Sequence, residues 1–461
     1  MARELLVGWG RTAATSADVH RPGRVADVGA VLDQSPKRGV IARGMGRSYG
    51  DAAQNAGGAV LSTTELDGLD WVDKDTGRLR AGGGAVLGDV QRFLLPQGWA
   101  LPVLPGTRHV TVGGAIAADV HGKNHQRDGS FVRHVVEMTL AVPSPREAGA
   151  RRITPGGDPD LFWATAGGLG LTGVVLDATV QAVRVGTAVV RVLRRRFADL
   201  DDLMAAMQSA DGRHRYAVAW LDALAGGGST GRGIVSWGDD AATADLTVPR
   251  RTAPLVLDGG RTFSVPEWFS AGPPPAVAVA ALNRLRFRRR AGSEAITVEP
   301  LDRFLFPLDG VDGWNRLYGP AGFVQYQFVV PDAAGEVVRG ALERLHRAGC
   351  RPLLAVLKRL GDADPGPLSF PMPGWTLALD LPAATAGLAD VLDALDDMVA
   401  GAGGRVYLAK DARLRPELLG AMYPGLRRWR AVRDDIDPEG VLTSDLGRRL
   451  GLVARPGPGA T

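Results

Sequence analysis

Ile41-Ala-Arg-Gly-Met-Gly-Arg-Ser-Tyr-Gly-Asp51 is the stretch on which the fold turns. It follows a short apolar run, Gly39–Ala42, that reads as a strand. Glycines after a strand free backbone N–H groups to converge on phosphate oxygens. Ser48 adds a hydroxyl donor, and Arg43 and Arg47 bring positive charge. Two later segments share this texture: Leu104-Pro-Gly-Thr107 running into Thr111-Val-Gly-Gly-Ala115, and Thr165-Ala-Gly-Gly-Leu-Gly-Leu-Thr-Gly173. Gly113 and Gly114 let the backbone approach a pyrophosphate or a flat ring edge. A single glycine loop is usually only a turn, but three at these spacings point to one site. The third precedes a strand instead of opening a helix, which disfavours a nicotinamide-type dinucleotide fold.

The chain has 461 residues, too many for one ordinary core, so two domains are expected. Its 54 Lys+Arg against 50 Asp+Glu leave a net charge of +4. That is no concentrated basic face, so nucleic acid is not expected as a partner. A single cysteine, Cys350, excludes an internal disulfide framework. The N-terminal MARELLVGWGRT lacks a signal-peptide core, and no run approaches the ~20 apolar residues of a membrane span. A cytoplasmic or peripheral-membrane location is expected, with the periplasmic face left open.

Short β-rich runs (Gly39–Ala42, Ala59–Ser62, Leu79–Gly82, Val135–Ala141, Gly173–Val180) dominate the first part, with Ala85–Leu95 as an amphipathic helix. From about residue 186 strands and helices alternate: Val189–Arg196, Tyr216–Asp222, Phe323–Val330, Pro352–Leu357 and Trp375–Leu381 as strands, with Leu200–Ser209, Ala333–Ala348 and Leu388–Ala402 as helices. This pattern predicts an α+β protein whose second part is an antiparallel sheet covered by helices on one face. Val406–Lys410 reads as a strand returning to the first part, and the terminal PGPGAT as disordered. Residues 271–300 combine a PPP run, the apolar AVAVAALNRL and a basic RLRFRRR carrying Arg284, Arg286, Arg288, Arg289 and Arg290. They read either as a solvated loop with a charged helix end or as a segment docking on an anionic membrane surface.

RGMGRSYGD, LPGTRHVTVGGAIAADVHGKNH and LFWATAGGLGLTG together resemble the FAD-binding domain of the vanillyl-alcohol-oxidase (PCMH-type) flavoproteins. Within that class the chain is similar to the oxidase subunits of decaprenylphosphoryl-β-D-ribose 2-epimerase. The likeness continues through AWLDAL, YGPAGFVQYQFVVP, PLSFPMPGW, YLAKDAR, MYP and SDLGRRL. It implies a FAD-binding domain over 1–187, a substrate domain over 188–403 and a segment over 404–461 returning to the first. It implies oxidation of the C2 hydroxyl of a polyprenylphosphoryl ribose to the 2-keto sugar. A separate NAD(P)H-dependent short-chain reductase would complete epimerisation toward the arabinose donor of cell-wall arabinogalactan. The alternative is an alditol or aldonolactone oxidase using oxygen on a soluble sugar.

The resemblance carries FAD contacts to Ala42, Arg43, Gly44, Met45, Gly46, Arg47, Ser48, Tyr49, Gly50, Asp51 and Ala52. It also carries them to Gly106, Thr111, Val112, Gly113, Gly114, Ala118, Asp119, Val120, His121, Val175 and Tyr407. Covalent members have a histidine where Arg47 stands, so the FAD is expected to be non-covalent. Lys410 is the leading catalytic candidate, as a cation against the flavin and substrate. His121 suits proton transfer, and Tyr49 either orients the flavin, relays a proton or simply packs. Lys123, Gln327, Lys358, Ala378, Asp380 and Lys410 match substrate positions, with Lys358 a phosphate partner. Trp220, Tyr318 and Trp375 read as core or pocket wall. His121 and His125 lack a third, acidic ligand, so no metal is expected. The family's cysteine, asparagine and tyrosine are Ala378, Thr376 and Leu305 here.

Overall fold

The computed structural model describes residues 2–34, 37–143, 149–257, 262–269, 271–289 and 294–453. Arg290 of the basic run and the PGPGAT tail lie outside the described residues. A four-stranded sheet, in the order β1-β2-β4-β3, contains β1 (Ala2–Val7), β2 (Ala14–His20), β3 (Val40–Arg43) and β4 (Ala59–Ser62). A five-stranded antiparallel sheet follows, in the order β5-β6-β9-β7-β8. It holds β5 (Leu69–Asp73), β6 (Arg78–Gly82), β7 (Val135–Val142), β8 (Gly149–Ile153) and β9 (Val174–Gln181). The first glycine loop leaves β3 and the third enters β9, as the sequence suggested. The second opens a short helix, α1 (Val112–Ala117), whose Thr111 hydroxyl accepts the Gly114 N–H at 3.1 Å.

The large antiparallel sheet has eight strands: β10 (Val189–Phe197), β11 (Tyr216–Leu221), β12 (Gly233–Asp240), β13 (Glu294–Pro300), β14 (Phe323–Val330), β15 (Leu354–Leu360), β16 (Gly374–Pro382) and β17 (Arg405–Val406). Their order is β13-β10-β12-β11-β15-β16-β14-β17. Side chains alternate between its faces. Val235, Leu357, Leu377 and Leu379 face a core shared with α2 (Leu200–Ser209), α3 (Glu336–Arg347) and α4 (Leu388–Gly401). The opposite face carries polar positions, including Gln327, Lys358 and Arg194, which is why these strands do not read as uniformly apolar. Register sets Gln327 opposite Ala378, Ala378 opposite Val356, Val356 opposite Trp220 and Trp220 opposite Ile234.

Two expectations change. Only Arg405–Val406 is strand; residues 407–410 form a turn closed by the Lys410 N–H on the Tyr407 carbonyl at 2.9 Å. The 271–300 stretch folds into a helix, Ala276–Arg289, and the edge strand β13, which the sequence reading missed. Ile296 and Val298 of β13 remain exposed, so the strand buries too little apolar surface to announce itself.

Candidate active site

The three glycine loops and the polar face of the large sheet enclose one cavity of about 560 Å³. The loops lock together by close approach. A Cβ on Gly44 would fall 2.3 Å from the Thr111 hydroxyl, and one on Gly50 would fall 2.0 Å from the Asp411 carbonyl. No larger residue fits either place.

Most of the sequence-derived positions line the cavity: Ala42, Gly44, Met45, Gly46, Arg47, Ser48, Tyr49, Ala52, Gly106, Thr111, Gly113, Gly114, Ala118, Val120, His121, Val175 and Tyr407, with Lys123, Gln327, Lys358, Ala378 and Lys410. Six others stand behind the wall. The Arg43 guanidinium donates to the Ala53 carbonyl at 3.0 Å and the Val7 carbonyl at 2.8 Å, which ties the first loop to β1. Asp51 pairs with Arg449, which also reaches Asp411. Gly50 packs on Asp411, and Val112 is fully buried in the core of the first part. Asp119 is buried and accepts the Ser369 hydroxyl. Asp380 accepts from Gln325, and the Tyr318 hydroxyl lies 3.5 Å from it. Gln325 lines the cavity in place of Asp380. It was missed, although it sits two residues before Gln327 in an alternating strand and so shares its face. Trp9, Arg194, Arg286 and Arg303 also line the cavity. Arg194 lies on the Gln327 face by the same alternation; Trp9, Arg286 and Arg303 carry no local signal.

The electrostatics are one-sided. Arg47, Lys123, Arg194, Arg286, Arg303, Lys358 and Lys410 line the cavity, and no Asp or Glu does among the described residues. Burial pushes the amines down, Lys410 to about 7, Lys358 to about 8 and Lys123 to about 7. Asp380 partly opposes this at Lys410. The Lys410 ammonium lies 3.8 Å from the centre of the Tyr49 ring, whose hydroxyl burial keeps protonated well above its ordinary range. Lys123 donates to the carbonyls of Phe304 and Leu305, the latter at 2.9 Å, holding that segment to the cavity wall.

His121 is buried and its pKa falls well below the ordinary histidine value, chiefly through desolvation. The Gln327 amide nitrogen lies 3.1 Å from His121 Nε2, so Nε2 accepts and the proton rides on Nδ1. That Nδ1 is buried with no hydrogen-bond partner among the described residues. His125 Nδ1 accepts the Gly361 N–H at 3.0 Å and serves the loop. Trp220 is a wall residue, Trp375 is core, and Tyr318 stacks on Phe323 at 4.1 Å.

A family model described as FAD binding domain matches residues 17–144, and one described as D-arabinono-1,4-lactone oxidase matches 384–450. The decaprenylphosphoryl-β-D-ribose oxidase of Mycolicibacterium smegmatis is 40% identical over 453 residues, 97% of either chain. The chain belongs to the decaprenylphosphoryl-β-D-ribose oxidase family. An uncharacterised protein of Streptomyces coelicolor is 44% identical over 369 residues, 78% of this chain and 98% of its own. A Streptomyces alditol oxidase is 28% identical over 201 residues, 43% of this chain and 47% of its own. The protein is an FAD-dependent oxidoreductase, and its residues fit the cofactor. Glycine and alanine positions of all three loops face the cavity, and Arg47 Nε and His121 Nδ1 are buried without a hydrogen-bond partner among the described residues.

Amines held down chiefly by burial, with neighbouring cations adding to it at Lys123 and Lys410, regain protons when an anion replaces their lost hydration. Binding of a phosphate-bearing ligand at pH 8 should therefore take up roughly one proton or more per site. Titration calorimetry in buffers of different ionisation enthalpy measures this. Zero uptake would mean that the lysines are already charged in the free protein.

Proposed function

We propose that this chain oxidises the C2 hydroxyl of a polyprenylphosphoryl-β-D-ribose to the 2-keto sugar. The observation that carries the reading is the carboxylate-free, lysine-rich cavity at the meeting of the glycine loops and the large sheet. It suits an anionic cofactor and an anionic substrate together. Residues 1–187 and 404–461 serve as the cofactor unit and 188–403 as the substrate unit. Bound FAD supplies the hydride acceptor. Lys410, with its pKa near 7, takes the hydroxyl proton as an amine and then remains as an ammonium where negative charge has grown. His121 stays neutral and offers its Nδ1–H as a donor. Gln327 holds the His121 ring, and Lys358 meets the phosphate. Tyr49 forms the apolar seat of Lys410. A separate NAD(P)H-dependent reductase then returns hydride to the other face of the ketone, on the way to cell-wall arabinogalactan.

Mixing the FAD-loaded protein anaerobically with a short prenylphosphoryl ribose should bleach the flavin band. Lys410→Ala should retain FAD and slow bleaching by roughly 100- to 10,000-fold. Lys410 sits at about 7 in the empty cavity and bound FAD raises it, so kcat/KM should climb as pH rises above 7 and the amine form grows. A flavin band that persists with the prenylphosphoryl ribose but bleaches with soluble alditols would move the activity to the oxygen-using alternative. Arg47 cannot form the histidyl bond of covalent relatives. Unfolding followed by ultrafiltration should return the flavin in the filtrate, and colour retained with the protein would contradict this.

The helix Ala276–Arg289 provides the membrane contact in this reading. No described helix is long and apolar enough to cross a bilayer. Yet Val277 of this helix is 82% exposed and Leu282 63%, Arg284 and Arg288 of the same helix are exposed, and Trp268 before it in the chain is 81% exposed. Such a surface suits anionic headgroups. The protein should sediment with vesicles containing anionic lipid and detach as salt rises. Equal recovery with neutral vesicles would remove the electrostatic part.

A further inference from the structure

The polar and apolar halves of the cavity are separated by strand register. Row by row across the large sheet, Gln327 is followed by Ala378 on β16, Val356 on β15, Trp220 on β11 and Ile234 on β12. All five line the cavity. Two residues along each strand lies a second row, Thr376 opposite Lys358, continued by Val218, and then by Ser236 opposite Arg194. The first row has one polar member, Gln327, at the His121 end, and is apolar from there on. The second keeps its ammonium and guanidinium groups to one side. Beyond what the cofactor ring covers, a sugar phosphate has no use for an apolar run that leaves the reacting end across four strands.

Neighbouring strands lie about 4.8 Å apart, so the run from Ala378 to Ile234 is roughly 14 Å long. That is the length of about three isoprene units, each of four main-chain carbon–carbon bonds of about 1.5 Å. Its far end borders the surface helix: the Arg286 guanidinium lies 4.4 Å from the Trp220 ring centre, and Arg286 is an exposed residue of Ala276–Arg289 that also lines the cavity. Leu282, one helical turn before Arg286 on that helix, is exposed.

We propose that Ala378, Val356, Trp220 and Ile234 form a prenyl subsite that grips the first three or so isoprene units of the substrate, while the rest of the lipid passes out beside Arg286. This rests on the prenylphosphoryl-ribose reading and adds to it a chain-length preference set by sheet register. The reacting sugar stays at the Gln327 end, the phosphate lies along the Lys358 row, and the lipid follows the apolar row.

The test is a series of prenylphosphoryl riboses carrying one to six isoprene units, given to the FAD-loaded protein below their aggregation concentrations. Anaerobic flavin bleaching is the readout. The expected kcat/KM rises by about tenfold or more per unit up to about three units and then levels off. The Ile234→Trp variant, with a larger apolar side chain at the far end, should bring the plateau forward by one unit. The unaltered protein carries the test by itself if that variant folds poorly. A series flat from the first unit, with bleaching intact, overturns the subsite and leaves the proposed oxidation standing. A rise that continues undiminished through six units also overturns it, since partition into a general apolar surface has no register. Absence of bleaching at every length removes the oxidation and the subsite with it.

Discussion

The turn at Tyr407–Lys410 is held from three directions, and the site exists because of it. Its Tyr407 N–H donates to the Gln327 carbonyl of the large sheet at 2.9 Å, and its Tyr407 hydroxyl donates to the Ala118 carbonyl behind the second glycine loop at 2.6 Å. The Tyr49 N–H of the first loop donates to the Ala409 carbonyl at 3.1 Å. One residue further on, Asp411 shares Arg449 with Asp51. Lys410 is thus fixed relative to both loops and to the sheet at once. A lysine has four rotatable stem bonds, so its usefulness in a site depends on such restraint. Phe370 stacks on Tyr407 at 4.5 Å and His121 lies 5.3 Å from the same ring, so the turn also sets where the imidazole stands.

Burying amines without carboxylates is costly, and the arrangement makes sense only with anions bound. Had Lys123 and Lys358 each faced an internal aspartate, an incoming phosphate would have to compete with that partner. Instead Lys123 spends its N–H groups on neutral carbonyls, and the acidic group that acts on Lys410, Asp380, is engaged by Gln325 and lies against the Tyr318 hydroxyl. Desolvation raises Asp380 to about 6, which weakens its claim on Lys410 further. The cavity stays receptive to negative charge, and the protonation of Lys410 stays close to neutrality.

Much of this was legible from residue types. Glycines at 44, 46, 113 and 114 announce backbone approach, which is a local property, whereas the helix that opens at Thr111 was not read from the sequence. The alternating strands of the second part gave its sheet and helical cover. The direction of side chains within the loops was not legible. Arg43, Asp51 and Asp119 look like ligand-facing polar residues, but each is consumed by a partner far away in sequence, at Val7, Arg449 and Ser369. Asp380 shares its face with Ala378, but Gln325 stands in front of it. Only a knowledge of which strand lies beside which reveals that, and pairing of β14 with β16 spans some fifty residues of chain.

The three departures from the family pattern meet at one place. Thr376 contributes a hydroxyl 3.2 Å from the Gln327 amide nitrogen, so that nitrogen bridges Thr376 and His121. With the amide turned this way, His121 Nε2 accepts and its Nδ1–H is left for a ligand. Ala378, opposite Gln327, offers only a methyl group to the cavity, where a larger thiol would narrow the passage from the polar end to Val356. Leu305 brings no hydroxyl, and its carbonyl is already engaged by Lys123. Polarity near the imidazole is therefore concentrated in Gln327, Lys358 and Lys410, and the path away from them is apolar from its first residue. On the proposed reading, the substitutions leave the groups that handle protons and charge in place and alter only the way out along the sheet, so they bear on which molecules enter and not on what is done to them.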